Sequence, residues 1–569
     1  MEQSKSRSGL TRALLALVFA LALLVTAVLM PVASAYAASS EKLDVMVMSD
    51  THVLAPALVG NTSDFKDVTT SNRKMFKESA GILDAQLNEV RKKKPNVLLL
   101  CGDLTKDGEL ESHQYMESRL EALKKDLPNL KIYVTNGNHD INNKSAKNYN
   151  TGGKAVAATR TSPEAFRDNY QVTYRDKSII ARYTPANGKS GMLSYVARPK
   201  AGFTFIVIDT GRYSADNTSN GKDEHQTSGQ ISSALESWVL KQIQDAKSRG
   251  DVVLGMEHHN IVPHFSWEPI IRSEFLINNY DHLSTAYADA GMHFMFSGHM
   301  HSQDVAAKTT SKGNKFYDIE TGSGINYATP MRDVSITRTR SNGTTHASLS
   351  GKTIEGEKVT YTDPTDGKKK EIPNIKTYGK SQIVSHSLAK MLARKDLSNG
   401  MKAAGKSYKS SDYSSKVNSI MDACMGIKVC DDGSKNLYDY ISYAYTHYLA
   451  GEDSAAKPSW FKQAEKRLKS GYLLSECLYN VSSQLNGFDQ TKAMNICQYL
   501  FFPNQYVKRY GLSASSLAST TLKIAAQGLD AMSDSTFKSL NQFYTDLITS
   551  ISYDSNFAND KTFTISSKI

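Results

Sequence analysis

The sequence predicts a layered α/β domain followed by a mainly α-helical C-terminal region. Three observations carry this reading. From residue 43 to about 300, short apolar runs of β-forming residues alternate with amphipathic helical stretches, the pattern of a sheet covered by helices. Polar clusters recur directly after those runs, where ligand sites gather in α/β sheets. From about Thr377 the periodicity turns helical.

The strands are "LDVMVMSD", "NVLLLCGD", "KIYVTNGNHD", "FTFIVIDTG", "DVVLGMEHH" and "MHFMFSGHMH". Between the first two, residues 73–94 place Phe76, Ala80, Leu83, Leu87 and Val90 on one helical face. A second helix is expected around Leu110–Leu127, and a third carries Leu235, Trp238, Val239, Ile243 and Ala246. After residue 304 the pattern is strand-rich: "FYDIETGSG", a hairpin turning at Asn342-Gly343, and a further hairpin in "KVTYTDPTDGKKKEI". Leu437, Tyr440, Ile441, Ala444, Tyr445 and Tyr448 then recur at helix spacing before Gly451, a C-cap residue. A packing face explains this tyrosine-rich stripe better than a binding surface.

At 569 residues the chain exceeds one ordinary core, and 40% hydrophobic with 22% charged residues fits a globular protein. Lys5, Arg7 and Arg12 precede an uncharged run from Ala13 to Met30, and "VASAYAAS" supplies a small-x-small site at Ala35-Tyr36-Ala37. That series is of the secretory type, although 18 apolar residues also suffice to span a bilayer. The cleavage site favours a cleaved signal over a retained anchor. The expected domains are 1–37 signal peptide or N-terminal membrane anchor, 42–330 catalytic domain, 331–375 β-hairpin extension and 376–569 helical domain. The working protein is expected to be extracytoplasmic, secreted or associated with the cell surface.

Lys5, Arg7 and Arg12 against Glu2 leave +9 of the formal +11 charge for the chain after residue 37. A positive field of that size favours anionic substrates, cell-wall polymers or anionic lipid. Solvated faces are the plainer account of the basic runs Arg91–Lys94 and Lys368–Lys370. No nucleic-acid-binding motif is present. Cys101 reads as a buried thiol, while Cys424, Cys430, Cys477 and Cys497 read as one or two disulfides whose pairing the spacing does not define.

The chemistry lies at the strand ends. Asp50 and His52 come from "SDTH", Asp103 from "CGD", Asn138 and His139 from "GNHD", His258 and His259 from "MEHHN", and His299 and His301 from "GHMH". Each has an ordinary explanation alone, as a cap, a turn residue or a satisfied core histidine. Five such clusters in five strand-end loops point to a metal site. Carboxylate, imidazole and carboxamide ligands together suit Mn, Fe, Zn, Co or Ni rather than calcium.

In type and order, "SDTH", "GDLT", "GNHD", "EHH" and "GHMH" resemble the motifs of the calcineurin-like metallophosphoesterase superfamily over about residues 43–330. The resemblance implies a four-layer α/β/β/α sandwich holding two divalent metal ions. Carried over by position, Asp50, His52 and His301 hold one metal, Asn138, His258 and His299 the other, and Asp103 bridges them. His259 is the alternative to His258. His139 matches the family's catalytic, non-ligand histidine, which faces the substrate phosphate. The implied reaction is in-line attack on phosphorus by a metal-bridging hydroxide, with His139 stabilising charge or protonating the leaving oxygen.

"GDLTKDGE" departs from the GDxVDRG type of serine/threonine protein phosphatases, and Lys106 stands where purple acid phosphatases carry tyrosine. Asp209, Tyr213, His225 and His264 lie on loops near the predicted rim. They are candidate substrate contacts, against the competing reading of ordinary surface residues. His113 is expected to be structural. The functional expectation is an exported phosphatase or phosphodiesterase acting on a phosphate ester. The alternative is a cell-surface binding protein whose helical region carries function and whose metal domain is a scaffold. A third reading joins the two, the helical module anchoring the enzyme or shaping its groove.

Overall fold

A computed structural model describes residues 39–341, 344–363, 365–386, 419–420, 422–452, 455–485, 510–511, 532–552 and 560–569. The expected signal or anchor segment lies outside the described residues, as do Asn342-Gly343 and Cys497.

Two sheets form the α/β part of the chain. Strands β1 (Ser39–Met48), β2 (Val97–Cys101) and β3 (Lys131–Thr135) run parallel at one side of the first sheet. The second sheet begins with β4 (Ile179–Arg182), β5 (Tyr195–Lys200) and β6 (Phe203–Val207). It continues through β7 (Val252–Met256), β8 (Phe294–Ser297), β9 (Val305–Thr309) and β10 (Lys315–Glu320), in the order β9-β10-β8-β7-β6-β5-β4. Within it β6, β7, β8 and β10 are parallel. The chain then returns to the first sheet: β11 (Met331–Ser341) pairs antiparallel with β1, and β12 (Thr344–Ile354) with β11. The hairpin extension is thus continuous with the first sheet, and β13 (Val359–Thr362) pairs with β14 (Lys369–Ile372) as the second hairpin.

Alternation along the strands shows how the layers meet. Phe203, Phe205, Leu254, Met256, Phe294 and Phe296 share one buried core with Val45, Val47 and the whole of β2. Their sequence neighbours Ile206, Val253 and Met295 belong to a second core, because successive strand residues face opposite ways. That second core holds Leu235, Val239 and Ile243 of helix Ser233–Ser248 and Leu283 and Tyr287 of helix Tyr280–Ala290. Leu83, Leu87 and Val90, with Met116, Leu120 and Leu123, bring two further helices onto the first sheet: α1 (Ser79–Lys93) and α2 (Leu110–Asp126).

Helix α1 is shorter than the expected 73–94. Met75 N–H donates to the Ile325 carbonyl at 3.0 Å, which takes it out of helical bonding. Phe76 packs with Leu54, Leu58 and Tyr149 in a separate small core instead of on the α1 face.

The helical region includes α3 (Leu437–Leu449), α4 (Ser459–Lys469), α5 (Tyr472–Leu485) and α6 (Asp534–Ser552). Asn436 and Asp439 form a capping box at the start of α3, and Gly451 takes a left-handed φ of 65° just beyond its end. The final strand, β15 (Thr562–Lys568), pairs with β12, so the chain re-enters the first sheet after the helices. The described cysteines are unbonded, so the expected disulfide is not formed among Cys424, Cys430 and Cys477, although Cys424 Sγ lies 3.8 Å from the Cys477 carbonyl oxygen.

Candidate metal centre

Asp50, Asp103 and Asn138 follow the carboxyl ends of β1, β2 and β3; His258 and His299 follow those of β7 and β8. Both sheets therefore deliver side chains to one edge of the sandwich. The turns that do so are strained. Asp50, His52, Asp103, His299 and His301 have φ of 50°, 38°, 49°, 75° and 68°, a region that non-glycine residues occupy at a cost of order 1–3 kcal/mol each. Motif glycines make room for the convergence. A Cβ at Gly137 would lie 2.2 Å from Asp103 Oδ1, and one at Gly298 would lie 1.9 Å from Ser49 Oγ and 2.5 Å from Asp50 Oδ2.

Two ligand sets result. Asp50, His52, Asp103 and His301 offer atoms that all lie within 4.8 Å of one another, and so do Asp103, His258 and His299. Asp103 is common to both. His301 Nε2 lies 3.1 Å from Asp50 Oδ1, His52 Nε2 is 3.6 Å from Asp103 Oδ2, and His258 Nε2 is 3.5 Å from Asp103 Oδ1. Every one of these residues is buried.

The donor atoms fit cations. Asp50 Oδ2 accepts from Ser49 Oγ–H at 2.6 Å and from His299 N–H at 3.0 Å, while Oδ1 is buried with no hydrogen-bond partner. His258 Nδ1–H donates to the Cys101 carbonyl at 2.8 Å, which leaves Nε2 3.2 Å from Asn138 Oδ1. A proton on Nε2 satisfies that contact, and a bound cation would take the proton's place between the two atoms. The Asn326 amide lies 2.6 Å from His301 Nδ1, and its Oδ1 is otherwise unpartnered. With that oxygen turned to the ring it accepts Nδ1–H and leaves Nε2 to ligate. Burial favours a neutral His258, but the Asp103 carboxylate overrides it and pushes the imidazole up to about 9. Asp103 thus favours positive charge beside it.

His139 is outside both sets. Its Nδ1 lies 2.9 Å from the Lys106 carbonyl and 2.9 Å from Asp107 Oδ1, and its Nε2 lies 3.9 Å from Asp103 Oδ2. Burial opposes its charged form, yet Asp103 and Asp107 raise its pKa. Asp107 is itself held down to about 2: burial works against its charge, while the His139 ring and the Lys106 ammonium favour it. Sequence reasoning passed over Asp107 within the quoted "GDLTKDGE", and Asn326 within "GSGIN".

His259 is committed elsewhere: Nδ1 lies 2.7 Å from Thr210 Oγ1 and Nε2 3.0 Å from the Thr227 carbonyl. Asp209 and Tyr213 are buried and bonded to each other at 2.6 Å. His264 is buried in an acidic network, its Nδ1 2.5 Å from Asp304 Oδ2 and its Nε2 3.5 Å from Asp318 Oδ2. None of these three stands at an open rim. His225 comes nearer the centre, within electrostatic reach of His139, Asp107 and Asp103, with Nδ1 buried and unpartnered. His113 is fully buried, bonded through Nδ1 to Tyr170 Oη at 2.7 Å and through Nε2 to the Asp140 carbonyl at 3.1 Å.

Comparison with known proteins agrees with this geometry. Residues 43–303 match the model of the calcineurin-like phosphoesterase family. Metal-dependent hydrolysis of phosphate esters is the activity of this class. Among solved structures, the chain is similar to a dimetal phosphatase from Danio rerio at 13% identity and a TM-score of 0.36, over 55% of this chain and 99% of that one. It is also similar to a phosphopantetheinyl hydrolase from Mycobacterium tuberculosis at 11% identity and a TM-score of 0.23, over 49% and 89% of the two chains. No curated protein matches the chain.

Proposed function

We propose that the chain is an exported phosphoric-ester hydrolase with a dinuclear metal centre. The observation that carries this is Asp103, one carboxylate shared by two buried ligand sets. A shared negative charge offsets two cations held close together, and neutral imidazoles and a carboxamide complete the sets without quenching their Lewis acidity. When bound, such a pair polarises phosphoryl oxygens and makes hydroxide available near neutral pH for in-line attack. Asp50, His52 and His301 would hold one ion, and Asn138, His258 and His299 the other.

The chain's own residues do the rest. Asp107 and the Lys106 carbonyl fix His139 through Nδ1, which leaves Nε2–H on the side of Asp103, 3.9 Å from its Oδ2. From there it donates to a phosphate oxygen and passes a proton to the departing alkoxide. Export rests on the basic, apolar and small-residue series of the first 37 residues.

A specific observation favours a share in the site for the helical region. Met300, between His299 and His301, packs in the same core as Leu437, Tyr440, Tyr448 and Phe461. The helices are built onto the ligand loop. The test is hydrolysis of p-nitrophenyl phosphate and its bis ester by chelated protein, before and after Mn²⁺ is restored. Metal-dependent turnover of either is expected; none with any divalent metal leaves a scaffold.

A further inference from the structure

Lys74 stands apart from the other cations near the metal centre. Lys106 is ion-paired to Asp107, and Lys77 to Asp363 at 2.8 Å. Lys74 is half-buried, and no carboxylate lies within ion-pair distance of its ammonium among the described residues. Its place is nonetheless well determined. Lys74 N–H donates to Asn72 Oδ1 at 3.0 Å, and the next residue, Met75, donates to the Ile325 carbonyl at 3.0 Å. Ile325 belongs to the loop that touches the ligands themselves: Ser323 Oγ–H donates to the Asp50 carbonyl at 2.8 Å, and Asn326 contacts His301. The residue that follows the lysine is thus bonded to the ligand loop.

The field of its ammonium reaches Asp50, Asp103 and Asp107, and also His52, His139 and His301. Burial lowers its pKa to about 8 in spite of those carboxylates, so it retains most of its charge at neutral pH. Arg73, beside it, hydrogen-bonds Tyr445 Oη and lies 5.7 Å from that ring's centroid. Tyr445 is on α3, so the helical region holds one member of this cationic pair in place.

We propose that Lys74, supported by Arg73 and Tyr445, grips the phosphate group of the substrate and biases the centre toward phosphomonoesters over phosphodiesters. The inference rests on the phosphoesterase reading above. A monoester has three non-ester oxygens. With two directed to the cation sites, a third charged oxygen remains for an ammonium donor. A diester has only two, and its ester oxygens are poor acceptors. A lysine without a carboxylate partner therefore gains most from the dianionic monoester.

The experiment compares full-chain wild type, Lys74→Met and Lys74→Arg, each loaded with Mn²⁺. Three quantities are read: kcat/KM for p-nitrophenyl phosphate and for its bis ester, calorimetric affinity for inorganic phosphate, and metal content by elemental analysis. Lys74→Met should lose about tenfold in monoester kcat/KM and in phosphate affinity, the usual weight of one charge-assisted hydrogen bond. The diester should change little, and metal content should stay at the wild-type value. Lys74→Arg should recover most of the monoester preference. An unchanged monoester-to-diester ratio with unchanged phosphate affinity overturns the proposal, as does metal loss in Lys74→Met, which would make the lysine a structural support. Absence of turnover in wild type sinks the hydrolase reading and this inference with it.

Discussion

Asp103 and His139 stand 3.9 Å apart, yet the proposed function gives them different tasks, and substitution separates the two. Asp103→Asn keeps the shape but removes the charge that both ligand sets share. Turnover should disappear and metal content should fall, with the circular dichroism unchanged. His139→Ala removes a group whose bonds run to Asp107 and Lys106. Metal content should hold while the rate drops about 10²–10⁴-fold, the usual worth of a positioned acid. Metal loss in His139→Ala would make that histidine a ligand. His113 invites a stability test instead. Burial lowers its pKa from 6.5 to about 3, so the folded chain keeps the ring neutral while the unfolded chain protonates it below pH 6.5. Its stabilising effect is complete above pH 6.5 and is lost as pH falls toward 3, at about 1.4 kcal/mol per pH unit. In chelator, urea unfolding from pH 7 to pH 5 should therefore show a steeper loss for wild type than for His113→Gln. Parallel curves would remove His113 from the acid response.

At the scale of elements, the strands were legible because their apolar runs end in polar clusters, and the pairs GD, GN and GH mark where each turn must be tight. Gly298 shows how tight. With 1.9 Å between its added Cβ and Ser49 Oγ, Gly298→Ala must push β8 away from the end of β1, an overpacking that usually costs about 1–3 kcal/mol. Metal content should fall below that of wild type, with the Asp50 set failing first; full occupancy would show that the turn relaxes freely. Periodicity misled for residues 73–78. Phe76 falls in phase with Leu83 and Leu87 but belongs to another core, and this non-helical stretch is what carries Lys74 to the ligand loop. Asp209, Tyr213 and His264 were also beyond reach of the sequence. Their loops follow strand ends like the ligand loops, and only tertiary packing shows that their polar atoms are turned inward.

Across the whole molecule, the helical region and the metal centre share structure. Met300 packs among the helices, as do Phe265 and Trp267. Gln303 N–H donates to the Leu449 carbonyl at 3.2 Å, at the end of α3. Arg332, fully buried at the start of β11, donates to the carbonyls of Asp304 at 2.8 Å and Asp560 at 2.7 Å, joining the end of the ligand loop to the approach of the last strand. Lys561 pairs with Glu355 and Glu452, which ties β15 to the end of α3. Such contiguity has a thermodynamic consequence. An ion that binds only the ordered ligand loop stabilises whatever must be ordered with it. Metal should therefore slow amide hydrogen exchange at residues 437–449 as well as at 298–303, and chelation should reverse both together. A helix packed elsewhere, at residues 233–248, serves as the internal control and should respond less. If exchange at 298–303 slows with metal while 437–449 is unmoved, the helices are a passenger on the catalytic domain, and the shared core does not couple them to the centre.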